Sequence, residues 1–343
     1  MMEMVMPMTC NTPKAKKSHR TILPVSSGAL GVQLCRRTIE EIGLDCNEVF
    51  GMQEDKTPEW NAVRQRWNTS KKRELCPSLM ERQSHVVACF HGGRNETFYA
   101  GPTPIGWVHD FDLVGAYTTA MVLYRPIDYA ASFETKDVSL FLGGAMGFAR
   151  VEFEFPSAIR YPCMPVRNEV RGLLFPLRGV SYATAPEIEL ALSQGATINI
   201  LHGVIFPWTD PNGTRIFLRF VREIRRLRAR YPKKSMFEQT AKLLGNSVYG
   251  KMAQGLKGKN AFDTRSMAGQ PVPPSSVTNA PMAAMATGFV RAVVSEMLHR
   301  LPQHRTAYSV TTDGILTDAA PDEIDLDGPL CQRYLELCEM VEA

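Results

Sequence analysis

At 343 residues and 44% hydrophobic composition, the chain holds enough apolar material for one large domain or two ordinary ones. A net charge of +4 does not mark a nucleic-acid partner unless the bases cluster locally. No apolar run reaches the roughly 18 residues that a bilayer span needs, and the Met-rich start is broken by Glu3 and Pro7, so a cytoplasmic protein with no membrane contact is expected. The eight cysteines form no CxxC pair and read as buried free thiols.

Residues 1–30, rich in Pro, Lys, Ser and Thr, read as a disordered tail. Residues 31–89 read as a mostly helical region, with amphipathic patterns in "CRRTIEEIG" and "EWNAVRQRW" and no DxE-type motif. A glycine-rich turn, "FHGGRNETFYAGP", starts at Phe90. It leads into "GWVHDFDLVGAY", a strand whose alternation puts Asp110 and Asp112 on one face and Phe111 and Leu113 on the other. Two carboxylates on one strand face are costly to bury unless something positive meets them. "ARVEFEF" and "INILHGVIF" read as strands around the helix "APEIELALSQG", which Gly195 ends.

From Arg215 the pattern becomes helical and basic, with seven Arg or Lys from Arg222 to Lys234 and with Arg222, Arg226 and Arg230 on one face. Pro232 stops this helix. "SMFE" at 235–238 has the form of a capping box and opens a second helix, which makes a helical hairpin. On it Lys242, Asn246 and Tyr249 form one stripe about 10 Å long, apart from an apolar side of Ala241, Leu244, Gly245 and Val248. A solvated helix face fits that stripe taken alone, and so does a nucleoside triphosphate, with its polyanionic head and flat base. A Pro/Ser-rich segment, a long helix over about 280–301 and the run "AYSVTTDGILTD" follow. The last reads as a hairpin turning at Asp313-Gly314. The acidic "DAAPDEIDLDG" lacks full EF-hand spacing and reads as a solvated loop.

"DLVGAYTTAM" from Asp112, "KLLGNSVYGK" from Lys242 and "TTDG" around Asp313 resemble motifs A, B and C of the family B DNA polymerases, in the order and spacing of the protein-primed phage and mobile-element branch. "FHGG" is similar to the aromatic-x-Gly-Gly element before motif A, and "VTNAPMAAMATGFVRA" to the segment between motifs B and C. The resemblance covers about 90–318. It implies an α+β fold, a polymerase palm of antiparallel sheet with backing helices over 90–214 and 253–343, a helical fingers hairpin over 215–252, and a short or absent thumb.

It further implies DNA-directed DNA polymerase activity, with dNTPs, DNA template and primer as partners together with a terminal protein or other replication protein. Two Mg²⁺, with Mn²⁺ as the alternative, would sit on Asp112, Asp313 and the carbonyl of Leu113. Tyr117 would act as steric gate beneath the sugar, Arg230 and Lys242 would read phosphates, and Asn246 and Tyr249 would meet the nucleotide. Gly92, Gly93, Gly250, Lys251 and Thr312 would contact DNA, the glycines by letting a backbone come close. The chain departs from the pattern at Thr311, where motif C usually has a second acid. It also departs at Gly314, Gly115 and Thr118, which stand for Ser, Ser and Pro, while Asp110 is a nearby substitute acid. No lysine-x-tyrosine element follows the hairpin. A non-catalytic nucleic-acid-binding remnant, and a priming or template-independent nucleotidyl transferase, are the alternatives.

Overall fold

The computed structural model describes residues 26–343 apart from 56, 57, 64, 70, 71, 103–105, 211 and 259. The expected tail therefore lies mostly outside the described residues, and its last part is already helix. Helix α1 (Ser27–Glu41) starts where the Ser26 hydroxyl accepts from the Ala29 amide at 3.2 Å. A short α2 (Cys46–Val49), capped by Asp45, follows.

The sequence expectation of a helix over "EWNAVRQRW" is wrong. Strands β1 (Met52–Asp55), β2 (Pro58–Asn61), β3 (Arg66–Thr69) and β4 (Lys72–Leu75) form two nested hairpins, β1 with β4 and β2 with β3. Trp60 pairs directly with Trp67, their rings edge to face at 5.6 Å. A cross-strand aromatic pair outweighs a helical spacing that had no core to face. Helix α3 (Pro77–Cys89) then leads to the "FHGG" loop.

Strands β5 (Arg94–Thr97) and β6 (His109–Asp112) precede the short helix α4 (Ala116–Met121). Next come β7 (Phe133–Thr135), β8 (Gly147–Glu154), a hairpin of β9 (Val166–Asn168) and β10 (Gly172–Leu174), β11 (Arg178–Thr184), α5 (Ala185–Ser193) and β12 (Thr197–Ile205). Gly195, at φ 80°, ends α5 as its position predicts. The expected hairpin is α6 (Leu218–Ala229) and α7 (Met236–Met252). The remaining elements are the hairpin β13 (Asn260–Asp263) and β14 (Ala268–Pro271), helix α8 (Ala280–His299), β15 (Ala307–Thr312), β16 (Gly314–Thr317) and α9 (Pro329–Glu342).

Two four-stranded antiparallel sheets result, ordered β5-β15-β16-β6 and β11-β8-β12-β7. Helix α8 touches β16 of the first and β11 of the second and is buried from Ala280 to Leu298. Its Ala, Met, Phe and Val residues run all round the helix, which is the pattern of a helix with no solvent face. Every charge it carries inside must then be met. The Glu296 carboxylate accepts from the Leu330 and Cys331 amides at 3.0 and 2.7 Å and so caps α9. Arg291 and Glu187 of α5 are both fully buried, with guanidinium nitrogens 2.8 Å from one carboxylate oxygen. Glu187 in turn accepts from the amide and hydroxyl of Thr184, closing the start of α5.

Helix α1 joins the α6–α7 hairpin. It packs along α7, where a Cβ at Gly31 would lie 2.6 Å from the Leu244 carbonyl, and Glu41 pairs with Arg219 of α6 at 2.8 Å. The acidic segment after β16 is not simply solvated: Glu323 pairs with Arg305 at 2.7 Å and Asp325 with Arg300 at 2.5 Å. The described cysteines are free and mostly buried, as expected. Among the described residues no helix is long and apolar enough to cross a membrane.

Replacing Arg291 by Met leaves the Glu187 charge buried without a partner, and is expected to cost about 3–5 kcal/mol. The double variant with Glu187→Gln should regain part of that loss. Urea unfolding measures both, and a single-variant loss under about 1 kcal/mol would show the pair to be dispensable.

Candidate functional site

Pairing across the first sheet aligns Asn95, Thr311, Gly314 and Asp112 in one row. Residues directly opposite each other share a face, and Asn95, Thr311 and Asp112 are exposed on it, as is Asp110 two residues back. The face bearing Asp110 and Asp112 is thus the open one, so neither of these two pays for burial there. The turn differs from the expectation: Thr311 pairs with Gly314, which leaves Thr312 and Asp313 as the two loop residues. Thr312, not Gly314, takes positive φ, at 62°, and the Asp313 amide donates back to the Thr311 carbonyl at 2.7 Å. Gly314 has another use, because a Cβ there would come within 2.2 Å of the Asp112 carboxylate.

The Leu113 amide donates to the Asp313 carbonyl at 3.0 Å, which locks the end of β6 to the hairpin tip. Burial first, and the Asp112 charge second, push the Asp313 carboxyl above the usual range, while Lys242 pulls it back. The two acids are therefore close enough to repel, and a lysine of α7 faces them. This set of two carboxylates and nearby carbonyl oxygens suits a hard divalent cation such as Mg²⁺, whose charge would remove the repulsion. Among the described residues no group of three His, Cys, Asp or Glu gathers anywhere. Thr311 accordingly adds no third acid at this site.

After Leu113 the chain turns sharply. Gly115 takes φ 65° at the start of α4. The Val114 carbonyl accepts from the Thr119 hydroxyl at 3.0 Å, the Tyr334 hydroxyl at 3.0 Å and Arg225 at 3.3 Å. Three donors on one carbonyl fix the backbone directly after the metal-ligand candidates. At the second residue of α4, Tyr117 stacks on Tyr249 of α7, ring centroids 4.4 Å apart and planes 4° off parallel. Gly245 permits this approach, since a Cβ there would meet Ile224 at 3.1 Å and Thr118 at 3.2 Å. Lys242 and Asn246 stay exposed on the same stripe of α7, and the apolar side of Ala241, Leu244, Gly245 and Val248 is buried as expected.

The basic helix is not one free face. Arg222 donates to the Met340 carbonyl of α9 at 2.6 Å and Arg226 pairs with Glu223, while Arg230 is the exposed C-cap of α6. The capping box is half made: Ser235 accepts from the Glu238 amide at 3.3 Å, but the Glu238 carboxylate turns to Arg228 at 2.6 Å and ties the hairpin together. Val114, Arg225, Arg226, Arg228 and Lys233 line a groove of about 740 Å³ beside the hairpin.

The "FHGG" loop is held from several sides. Arg291 donates to the His91 and Gly92 carbonyls at 3.2 and 2.7 Å, and Lys257 donates to the Phe90 carbonyl and lies 5.0 Å from that ring. Gly93 is a glycine for a reason other than the expected one. A Cβ there would lie 2.7–3.0 Å from Thr312, so its missing side chain admits the β15–β16 hairpin. Gly92 and Gly250 face open space, consistent with close approach of another backbone. Lys251 is taken up within the chain by Gln254, and the Thr312 hydroxyl by Asn95 at 3.3 Å. Arg291, Lys257, Tyr334 and Arg225 support the site and were missed in the sequence, because what marks them is a contact from a distant element.

Residues 65–268 match the family described as DNA polymerase type B, organellar and viral. The chain is 42% identical over 326 residues to the primer-independent DNA polymerase PolB of Escherichia coli, an alignment that takes in 93% of this chain and 38% of that protein. The chain thus spans well under half the length of that relative. Phi29 DNA polymerase, solved with primer-template DNA and incoming nucleotide, has the same fold with a TM-score of 0.57 at 15% identity, over 87% of this chain and 50% of that one. Its complex with single-stranded DNA gives a TM-score of 0.55 at 15% identity, over 87% and 48%.

Two outcomes are expected. Gly93→Ala should drive the hairpin tip from its seat, costing about 1–3 kcal/mol in unfolding experiments; an unchanged midpoint would deny the contact. His91 donates through Nε2 to the Tyr182 carbonyl at 2.8 Å, and burial, helped by Arg291, pulls its pKa down to about 3. In the unfolded chain it titrates near about 6.5, so the unfolded state takes the proton first as pH falls. Stability present above that value should then be lost between about pH 6.5 and pH 3, by roughly a few kcal/mol. His91→Gln keeps a donor for Tyr182 and should flatten this slope, and an identical slope would refute the assignment.

Proposed function

Because the chain belongs to the organellar and viral type B DNA polymerases, we propose that it catalyses template-directed addition of dNTPs to a 3′-hydroxyl. One observation carries the reading: three elements far apart in sequence converge on one open face, the Asp112 and Asp313 strand ends, the Tyr117–Tyr249 stack and Lys242. In this proposal residues 90–214 and 253–343 act as palm and 215–252 as fingers, acting in the cytoplasm with DNA template and primer as partners.

Asp112, Asp313 and the Leu113 carbonyl would hold two Mg²⁺, which supply activation of the attacking hydroxyl and neutralisation of the triphosphate. Lys242 meets the triphosphate with a positive charge held on a rigid helix, and Arg230 adds another at the hairpin end. Tyr117, braced flat against Tyr249, presents a fixed wall to the sugar and would exclude a 2′-hydroxyl. Asn246 and Tyr249 bound the base. The chain's own part is positioning and electrostatic preorganisation, since nothing in its side chains needs to react covalently.

A second reading concerns initiation. The PolB relative is named as primer-independent, which favours a start without primer over one from a terminal protein or other replication protein. Extension assays on primed and unprimed templates with Mg²⁺ test both readings. Wild type should extend a primer, and Asp313→Asn should lower the rate on the order of 10³-fold. Lys242→Ala should cost about 10- to 100-fold, Tyr117→Ala should admit ribonucleotides, and chelation of the metal should stop synthesis. Wild-type activity no higher than that of Asp313→Asn would leave a nucleic-acid-binding remnant instead.

A further inference from the structure

Two β-ribbons have their roots linked to the C-terminal end of α7, and neither is used by the site described above. The ribbon of β1 to β4 is rooted where the Asn279 side chain donates to the Phe50 carbonyl at 3.2 Å and the Cys76 amide donates to Gly51 at 2.8 Å. The same Asn279 donates its backbone amide to Met252, the last residue of α7, at 2.9 Å. The ribbon of β13 and β14 leaves from that point, closed at its base by Gln254 on the Pro273 carbonyl at 2.6 Å. One asparagine thus ties the roots of both ribbons to the helix that carries Lys242 and Tyr249.

Both ribbons hold aromatic rings in solvent. Trp60 is 53% exposed and Trp67 66%, and Phe262 on the second ribbon is 64% exposed. A cross-strand indole pair steadies a two-stranded ribbon's register, which accounts for the ring contact. It does not account for the charge. From Met52 to Leu75 the sequence carries six Lys or Arg against four acids, but Glu54 and Asp55 lie opposite Arg73 and Lys72 in the register. That leaves Lys56, Arg64, Arg66 and Lys71 against Glu59 in the outer part, and from Lys259 to Arg265 the second ribbon carries two bases against one Asp. Exposed flat rings on ribbons whose sequence holds an excess of bases are the combination that binds single-stranded nucleic acid, with nucleobases stacking on the rings and phosphates meeting the cations.

We propose that the Trp60–Trp67 ribbon, with the Phe262 ribbon beside its root, is a binding arm for single-stranded nucleic acid, holding unpaired template next to the fingers helix. The inference builds on the polymerase reading, and its ligand class follows from charge complementarity with a polyanion. The arm reads no sequence, because every base has a face to stack and the bases see only phosphate.

The test measures binding of the full chain to labelled oligo-dT and to a blunt duplex, in an Asp313→Asn background so that no turnover is required. Trp60→Ala with Trp67→Ala should weaken oligo-dT binding by about tenfold or more while changing duplex affinity by less than about threefold. Trp60→Phe with Trp67→Phe should retain most of the affinity, which separates stacking from ribbon collapse. Arg66→Glu should make the affinity less steeply dependent on salt. Oligo-dT binding that is unchanged in both the Ala and the Arg66→Glu variants would overturn the proposal and assign the exposed rings to a protein contact. Loss of primer extension in the wild type alongside ribbon-dependent binding would sink the polymerase reading and leave the arm standing. Normal extension with ribbon-independent binding would do the reverse.

Discussion

The buried pair of Arg291 and Glu187 is the constraint on which the rest of the molecule depends. Both side chains are fully buried, so neither charge has water to fall back on. Glu187 closes the start of α5 through Thr184, and Arg291 donates through Nη1 to the His91 and Gly92 carbonyls. One guanidinium therefore fixes the second sheet's helix, the central helix α8 and the loop on which the hairpin tip sits. Gly93 then passes that placement to Thr312 by contact, and Thr312 is the neighbour of Asp313. A chain of short contacts runs from the centre of the fold to the Asp313 carboxylate.

At the other carboxylate the same economy appears with different parts. Asp112 ends a strand, and the backbone after it is held by three donors on the Val114 carbonyl, two of them from the distant elements α9 and α6. Helix α9 is itself held by Glu296 of α8. The backbone after Asp112 is thus fixed beside the hairpin tip that carries Asp313. A divalent cation bound there would meet two carboxylates whose backbone is already in place.

The α6–α7 hairpin is positioned by close backbone approach rather than by its charges. Gly245 lets α7 settle against Ile224 and Thr118, and Gly31 lets α1 settle against α7. Small residues at these crossings bring Tyr249 flat against Tyr117. The arginines of α6 are largely spent on neighbours: Arg222 on α9, Arg225 on Val114 and Arg228 on Glu238. They hold the groove beside the site in place as well as giving it positive charge.

Several features followed from local sequence. The period of α7 separated its polar stripe from its apolar side, the alternation of β6 put both aspartates on one face, and Ser235, Pro232 and Gly195 marked helix ends through their own backbone chemistry. Such features depend on neighbours a few residues away, so they survive without the fold. Where the competing partner was distant, the sequence misled. The pattern at 59–67 suggested a helix until Trp60 found Trp67, Asp313-Gly314 suggested a DG turn until Gly314 was needed beside Asp112, and the Glu238 arm of the capping box went to Arg228. Sequence alone determined which residues have the chemistry of the site and the order in which they come. Tertiary structure decided which of them meet, and it brought in Arg291, Lys257, Tyr334 and Arg225, because a buried charge or a closely packed glycine acquires its meaning from whichever atoms the fold places against it.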